Sequence, residues 1–313
     1  MAKHEVVGSS FLGLRSIKSD LKSLSKPLIY VMFISMVITT FFALFNVQGY
    51  KEGASYFIPL DKYNYVTGPG GHSVFGTSSA AGILVAIFWA LSGVASFTGI
   101  LMVLMITEHK ESQWFWSMVS NAFFFLTTLG MGYIGDMTMG LFTVLVTPVG
   151  WIILHKKARL VLDLKTQPVV VKATIYFTGL ALFGMLVFSW FAYLSNAGNL
   201  LFGHENNPYP HDNNGKYPDF GYNDGFNLGL KWTLDSLASS FKMTATILQV
   251  LGLKIQFLFW LLCDVFSILQ FSGLAGLRLL NISLFIQYLT WMSLVILSII
   301  KILRQKYQIK PKR

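Results

Sequence analysis

Residues 92–125 read SGVASFTGILMVLMITEHKESQWFWSMVSNAFFF, and residues 234–269 read LDSLASSFKMTATILQVLGLKIQFLFWLLCDVFSIL. At a shift of 143, Ser92 and Ser96 fall on Asp235 and Ser239, Asn121 falls on Asp264, and Phe123 falls on Phe266. Past a three-residue change in the intervening loop, a shift of 140 carries Thr143, Thr147 and Trp151 onto Ser283, Gln287 and Trp291. Each trio is spaced i, i+4, i+8, which on a helix makes one polar stripe ending in an indole. Apolar helices align with one another easily, so leucines carry no weight in such a match. Here polar residues coincide, and a polar group in hydrocarbon costs free energy that its placement must explain. The pattern predicts two copies of a three-helix unit.

Outward from these stretches the chain is apolar throughout. Of 313 residues 54% are hydrophobic and 12% are charged, about half the charge of a soluble domain. A helix that crosses ~30 Å of hydrocarbon needs about 20 apolar residues. Eight stretches qualify, near 27–48, 80–106, 114–131, 137–155, 171–194, 230–251, 255–271 and 279–303. The seventh is short, and the sixth holds Asp235 and Lys242 with many Ser and Thr, which suits a helix facing a bundle interior. The expected fold is an all-α integral membrane protein of eight spans. Two parallel three-helix repeats (80–155 and 230–303) are joined by a linker helix within 156–194, and one extra N-terminal span with its external loop occupies 27–79. An even number of crossings separates the starts of the repeats, so they share one orientation and are related by an axis along the membrane normal.

With the N-terminus inside, 19 of the 24 Lys and Arg residues fall on cytoplasmic segments and 5 outside. The basic segments 1–26 and 304–313 are therefore read as cytoplasmic, and the net charge of +10 as a signal of topology and of contact with anionic lipid, not nucleic acid. The first span is too long for a secretory signal core and no small-x-small cleavage site follows it. Residues 195–229, rich in Asn, Gly, Pro and Tyr, are expected to form an external loop and a candidate lid. Their His and Asp spacing matches no metal-ligand pattern, and the lone Cys263 excludes an internal disulfide or a CxxC site. No GxxxxGK[ST], dinucleotide glycine pattern, HExxH or GxSxG occurs, which argues against ATP-driven transport by this chain and against an intramembrane hydrolase. Acidic pairs that would hold magnesium against lipid head groups are also missing, so no cofactor and no enzymatic activity is expected. Asp136, Glu108 and Lys110 read as solvated loop charges, Trp114, Trp116, Trp190 and Trp232 as interfacial anchors, and the sequon at Asn281 is discarded because it falls within a span.

The stretches quoted above, together with GYIGDMTMGLFTVLVTPVGW at 132–151, resemble the Pnu family of vitamin and nucleoside transporters over about residues 88–300. Its PnuC branch carries nicotinamide riboside, and its members look like relatives of the SWEET sugar carriers with a 3+1+3 helix order. The resemblance implies passive transport of a small molecule. Position by position, the Asn in the family's first middle helix matches Asn121, the closing Gly-Trp matches Gly150 and Trp151, and the Asp opening the second unit matches Asp235. Where the family usually has Asn in the second middle helix this chain has Asp264, and the first span and the 195–229 loop are additions. Sister branches move thiamine, riboflavin or deoxynucleosides.

The residues point the same way. Asp264 lies near the centre of its span, where an ionised carboxylate costs about 2.5 to 3.5 kcal/mol unless it has a partner or water. It shares a helix face with Trp260, Ser267 and Phe271, an acceptor beside aromatic surfaces that would suit ribose hydroxyls and a flat base. A cationic pyridinium would gain a further cation–π attraction. The competing reading is a structural Asp paired with Lys242. Asn121 could serve a carboxamide or base edge, or simply hydrogen-bond between helices. Thr147, Gln287, Trp151 and Trp291 lie on the matched stripes. The expected substrate-binding set is thus Asn121, Asp264, Trp260, Gln287, Trp291, Thr147, Trp151 and Asp235, with no metal. The expected function is facilitated import across the plasma membrane of a nucleoside-type vitamin precursor, foremost nicotinamide riboside, followed by trapping through cytoplasmic phosphorylation. A deoxynucleoside or thiamine carrier, a proton-coupled carrier, and a non-transporting interaction or sensor protein are the alternatives. Lipids and the small-molecule substrate are the expected partners, and a lipid-facing surface leaves room for a homo-oligomer.

Overall fold

The computed structural model describes residues 11–45, 56–68, 75–131, 134–156, 225–250, 253–272 and 281–308, together with Gly179 and Gly184. Apart from one isolated bridge between Phe45 and Phe57, everything described is helical or turn. A 3₁₀ turn, Phe11–Ser16, leads into α1 (Ile17–Lys22) and α2 (Lys26–Leu44), followed by α3 (Ile58–Thr67). The bundle proper is α4 (Ser79–Thr107), α5 (Gln113–Met131), α6 (Ile134–Lys156), α7 (Gly225–Val250), α8 (Gln256–Phe271) and α9 (Ile282–Gln308). The expected linker span at 171–194 lies outside the described residues, apart from those two glycines. So does nearly all of the 195–229 loop, although α7 begins within it at Gly225.

Local chemistry sets the helix ends. Ser78 caps α4, its hydroxyl accepting from the Ala81 N–H at 3.2 Å, and Pro residues open α2 and α3, where a missing N–H costs nothing. Asn281 caps α9: its side-chain oxygen accepts from the Leu284 N–H at 2.9 Å. The rejected sequon therefore has a structural use. Helix α3 is a correction, because 49–79 is expected as plain loop. Its start carries a Pro and a first-turn Asp61, and Gly82 of α4 lets Thr67 and Tyr63 pack against the α4 backbone, where a Cβ would come within 2.8 Å of both.

Four helices, α2, α4, α6 and α9, contain windows long and apolar enough to cross a membrane, and α8 is a shorter apolar helix. The distribution of polarity is the reverse of a soluble globule. On α6 Leu145 and Val149 are exposed while Thr143 and Thr147 are buried; on α8 Leu258, Val265 and Leu269 face out while Trp260, Asp264, Ser267 and Gln270 face in. Hydrocarbon outside and polar groups inside is what a bilayer selects.

Contacts along the helices fix their directions. Gly135 near the start of α6 lies against Asp235 in the first half of α7, and Gly150 near the end of α6 lies against Val250 at the end of α7. These two helices run the same way. Helices α4 and α9 do likewise, with Gly99 against Gln287 and Trp291 and, at the far end, a 2.7 Å Lys301–Glu108 ion pair. Helix α5 runs opposite to α4 and α6, bonded through Ser120 to the Ala95 carbonyl (3.3 Å) and paired through its Ser117 hydroxyl with that of Thr147 (3.2 Å). Helix α8 runs opposite to α9, with Trp260 edge-on to Trp291 and Phe271 stacked on Tyr288. Across the middle of the bundle α4 touches α9 and α6 touches α7.

At the end of the bundle where α4, α6 and α7 terminate, the N-terminal turn folds back as a hook. Leu12 and Gly13 both adopt left-handed backbone (φ 56° and 72°), a conformation that costs Leu about 1–2 kcal/mol. Leu12 is completely buried in a cluster with Trp114 and Val250, and Gly13 sits against the Glu111 carbonyl, where a Cβ would lie only 2.7 Å away. Ser16 donates to the Glu111 carboxylate (2.9 Å), the Ser112 N–H donates to Asp20 (2.9 Å), and Phe11 meets Trp151 edge-on. Trp114 is thus core here, not an interfacial anchor.

Candidate functional site

A small cavity lies between α4, α8 and α9. It is lined by Val103 and Ile106 of α4, Phe257, Trp260 and Asp264 of α8, and Trp291 and Val295 of α9. Its volume of about 10 Å³ has room for roughly one water, whereas pockets for small organic ligands run to roughly 300 Å³ or more.

The groups at this cavity are polar atoms held in hydrocarbon surroundings. Asp264 is completely buried, and among the described residues neither carboxylate oxygen has a hydrogen-bond partner. The indole N–H groups of Trp260 and Trp291 and the Gln287 side-chain oxygen are equally buried and unpartnered. Leaving such groups unsatisfied costs about 1–3 kcal/mol each. Together they offer three acceptor atoms and two donors beside indole faces set at 86° to each other. Gly99 makes the arrangement possible, because any larger residue there would push Gln287 and Trp291 away from α4. The near charge is Lys242, fully buried on α7, whose ammonium sits 3.9 Å from the centre of the Phe124 ring and interacts electrostatically with Asp264. Lys242 is therefore a core cation, although it is counted among the 19 basic residues on the segments expected to be cytoplasmic.

A second polar cluster occupies the opposite end, where α6 and α7 begin. Asp235 accepts from two backbone N–H groups at the start of α6, Gly135 at 2.8 Å and Asp136 at 3.0 Å, so it caps a neighbouring helix. Gln270 of α8 donates to Asp136 at 3.2 Å and lies 3.5 Å from Asp235. Asp136, expected as a solvated loop charge, is 1% exposed and belongs to the first turn of α6. Nothing in its local sequence distinguishes it, because an acidic residue in a first turn is equally common on a surface.

Of the eight expected site residues, Asp264, Trp260 and Trp291 meet at the cavity and Gln287 lies beside them against Gly99. Asp235 belongs to the second cluster. Asn121 and Thr147 are buried between α4, α5 and α6: the Asn121 amide donates to the Ser117 carbonyl (2.8 Å), and the Thr147 hydroxyl donates to the Thr143 carbonyl (2.6 Å). Trp151 lies at the hook. Gln270 and Tyr288, which stacks on Phe271 and meets Trp291 edge-on, are core residues that the sequence reading passed over, and Asp136 is one that it placed in solvent. Lys242, expected within a span that faces the bundle interior, is buried there. Among the described residues no cluster of His, Cys, Asp and Glu could hold a metal ion.

The family model described as nicotinamide mononucleotide transporter matches residues 89–304. The crystal structure of the vitamin B3 transporter PnuC is similar in fold at 16% identity and a TM-score of 0.47, covering 91% of this chain and 99% of that chain. No curated protein matches the chain.

Proposed function

This chain belongs to the nicotinamide mononucleotide transporter family, whose model spans well over half of its sequence, and from that premise we propose that it carries a nucleoside-type vitamin precursor, foremost nicotinamide riboside, by facilitated diffusion. The observation that carries the reading is Asp264: a completely buried carboxylate with two unpartnered oxygens, flanked by two indoles, at a void between α4, α8 and α9. Vicinal ribose hydroxyls supply the two donors that the carboxylate lacks, and the indoles offer faces to a flat base. A cationic pyridinium gains from an acidic core, since among the described residues the carboxylates of Asp235 and Asp264 outnumber the single buried ammonium of Lys242. The same surplus repels a phosphate, which favours the nucleoside over the nucleotide.

In this reading α4–α6 and α7–α9 are parallel repeats related by a pseudo-two-fold axis. Exchanging them maps the α4–α9 contact onto α6–α7, and the common direction of α4, α6, α7 and α9 supports it. The trios rock about the central site, both termini face the cytoplasm of the plasma membrane, and cytoplasmic phosphorylation retains the product. Counterflow in proteoliposomes tests this with labelled nicotinamide riboside, a deoxynucleoside and thiamine. Nicotinamide riboside should exchange fastest, and Asp264→Ala should cut its exchange at least tenfold with the fold retained. Exchange of none of the three, or full exchange by Asp264→Ala, refutes the proposal.

A further inference from the structure

The polar cluster at the starts of α6 and α7 is not needed to bind a substrate at the cavity, yet it is unfinished in a specific way. Gln270 is completely buried and its amide N–H donates to one oxygen of Asp136 at 3.2 Å. That leaves Asp136 Oδ1 and Gln270 Oε1, both buried and both without a hydrogen-bond partner among the described residues. Both are acceptors, so they cannot satisfy each other, and in a dry interior each costs about 1–3 kcal/mol. One proton resolves both. A protonated Asp136 donates Oδ1–H to Gln270 Oε1 while accepting Nε2–H at Oδ2, the reciprocal pairing of a carboxylic acid with an amide.

We propose that Asp136 and Gln270 form a proton-binding site that clips the two helix trios together at the face where α6 and α7 begin. Asp136 belongs to the first trio and Gln270 to the second, so the proton sits across the seam that must part to admit substrate. The surroundings favour one proton there. From α7, Asp235 and Lys242 face Asp136; from α8, Cys263 lies near, and from α9, Tyr288 does. Helices α4 and α5 carry no titratable side chain. Asp235 is committed to two backbone N–H donors, and the single ammonium of Lys242 answers both Asp136 and Asp264, so ionised carboxyls at Asp136, Asp235 and Asp264 would share one cation. Losing the proton sets acceptor against acceptor and opens the seam. The site gates access from one side of the membrane without moving a proton through it, so net transport stays downhill. This rests on the two-trio carrier reading.

Asp136→Asn is the informative variant, because its amide donates to Gln270 Oε1 as the protonated acid would. The first measurement needs no substrate: thermal unfolding of the full chain in detergent between about pH 5.5 and 8. A proton bound only in the closed fold stabilises it most at low pH. The wild-type midpoint should therefore fall as pH rises, while Asp136→Asn stays flat at the low-pH value. Gln270→Glu, which adds a second acid, should steepen the fall. The second measurement is counterflow of nicotinamide riboside with the pH of each side set separately. The wild type should speed up as pH rises on one side only, by up to about tenfold per pH unit, and Asp136→Asn should be slow and insensitive. A flat wild-type midpoint overturns the proposal, as does an Asp136→Asn midpoint that tracks the wild type. A midpoint that follows sodium at fixed pH also overturns it, in favour of a metal cation. Failure to exchange nicotinamide riboside would leave the unfolding result standing, so the two readings fail separately.

Discussion

Replacing Gly99 with alanine adds one methyl group at the place where α4 holds the expected substrate-facing side chains of α9. The new Cβ would lie 2.7 Å from Gln287 Nε2, 3.1 Å from its amide carbon and 2.8 Å from Trp291 Cζ2. Ordinary contact begins near 3.5 Å, so both side chains must retreat by about 0.7 Å or more. Both are almost completely buried, and the cavity that Trp291 lines is only about 10 Å³, so the retreat is strained. Overpacking of this kind costs about 1–3 kcal/mol, and replacing a mid-helix glycine returns roughly 1 kcal/mol. Net destabilisation of about 0–2 kcal/mol is expected. The loss in binding is more specific: forfeiting the Gln287 hydrogen bond costs about 1 kcal/mol, or roughly five- to tenfold in affinity. Calorimetric titration of nicotinamide riboside into purified protein, beside thermal unfolding, reads both quantities. Gly140→Ala is the control, because its Cβ would meet the α5 backbone at 3.1 Å, away from the cavity, and should lower the midpoint without a matching loss of affinity. A Gly99→Ala protein with unchanged affinity and a raised midpoint would falsify the placement of Gln287 and Trp291 against the substrate.

Lys242→Met should lower stability by about 3–5 kcal/mol, because it strips the ammonium from a core that holds three carboxylates; the double variant with Asp264→Asn should recover part of that loss in the same unfolding assay, and strict additivity of the two would show that the pair is uncoupled. Leu12→Ala should loosen the hook by about 2 kcal/mol and speed tryptic cutting at Arg15 and Lys18 roughly thirtyfold; an unchanged cleavage rate would mean that the segment is held by its polar contacts alone. Lys301→Ala removes an ion pair whose side chains are 58% and 29% exposed, and should shift stability by less than about 1 kcal/mol in moderate salt.

The long helices were legible because the bilayer imposes length and apolarity on them: α4 was expected at 80–106 and is found at Ser79–Thr107, and α5, expected at 114–131, spans Gln113–Met131. Helix α3 escaped because ten residues of mixed polarity carry no such constraint and owe their packing to Gly82. Asp264, Trp260, Gln287 and Trp291, which the structure brings near one another, are singled out by their spacing on helix faces, which is a local property. Asp136 is not, since what buries it is the meeting of α6 with α7 and α8, and no periodicity within one helix encodes a neighbour. Lys242 is legible as an interior group from the Ser- and Thr-rich span that holds it, whereas its seat over the Phe124 ring depends on a neighbouring helix that the span does not encode.

The hook at the N-terminus also bears on the order in which the chain is made. Leu12 is translated well before the rest of its binding place, which includes Trp114 and Val250. It cannot seat until α7 has been translated and inserted, more than two hundred residues later. Until then this segment has no complete seat, so a change that weakens it would act at the final step of assembly rather than at the beginning.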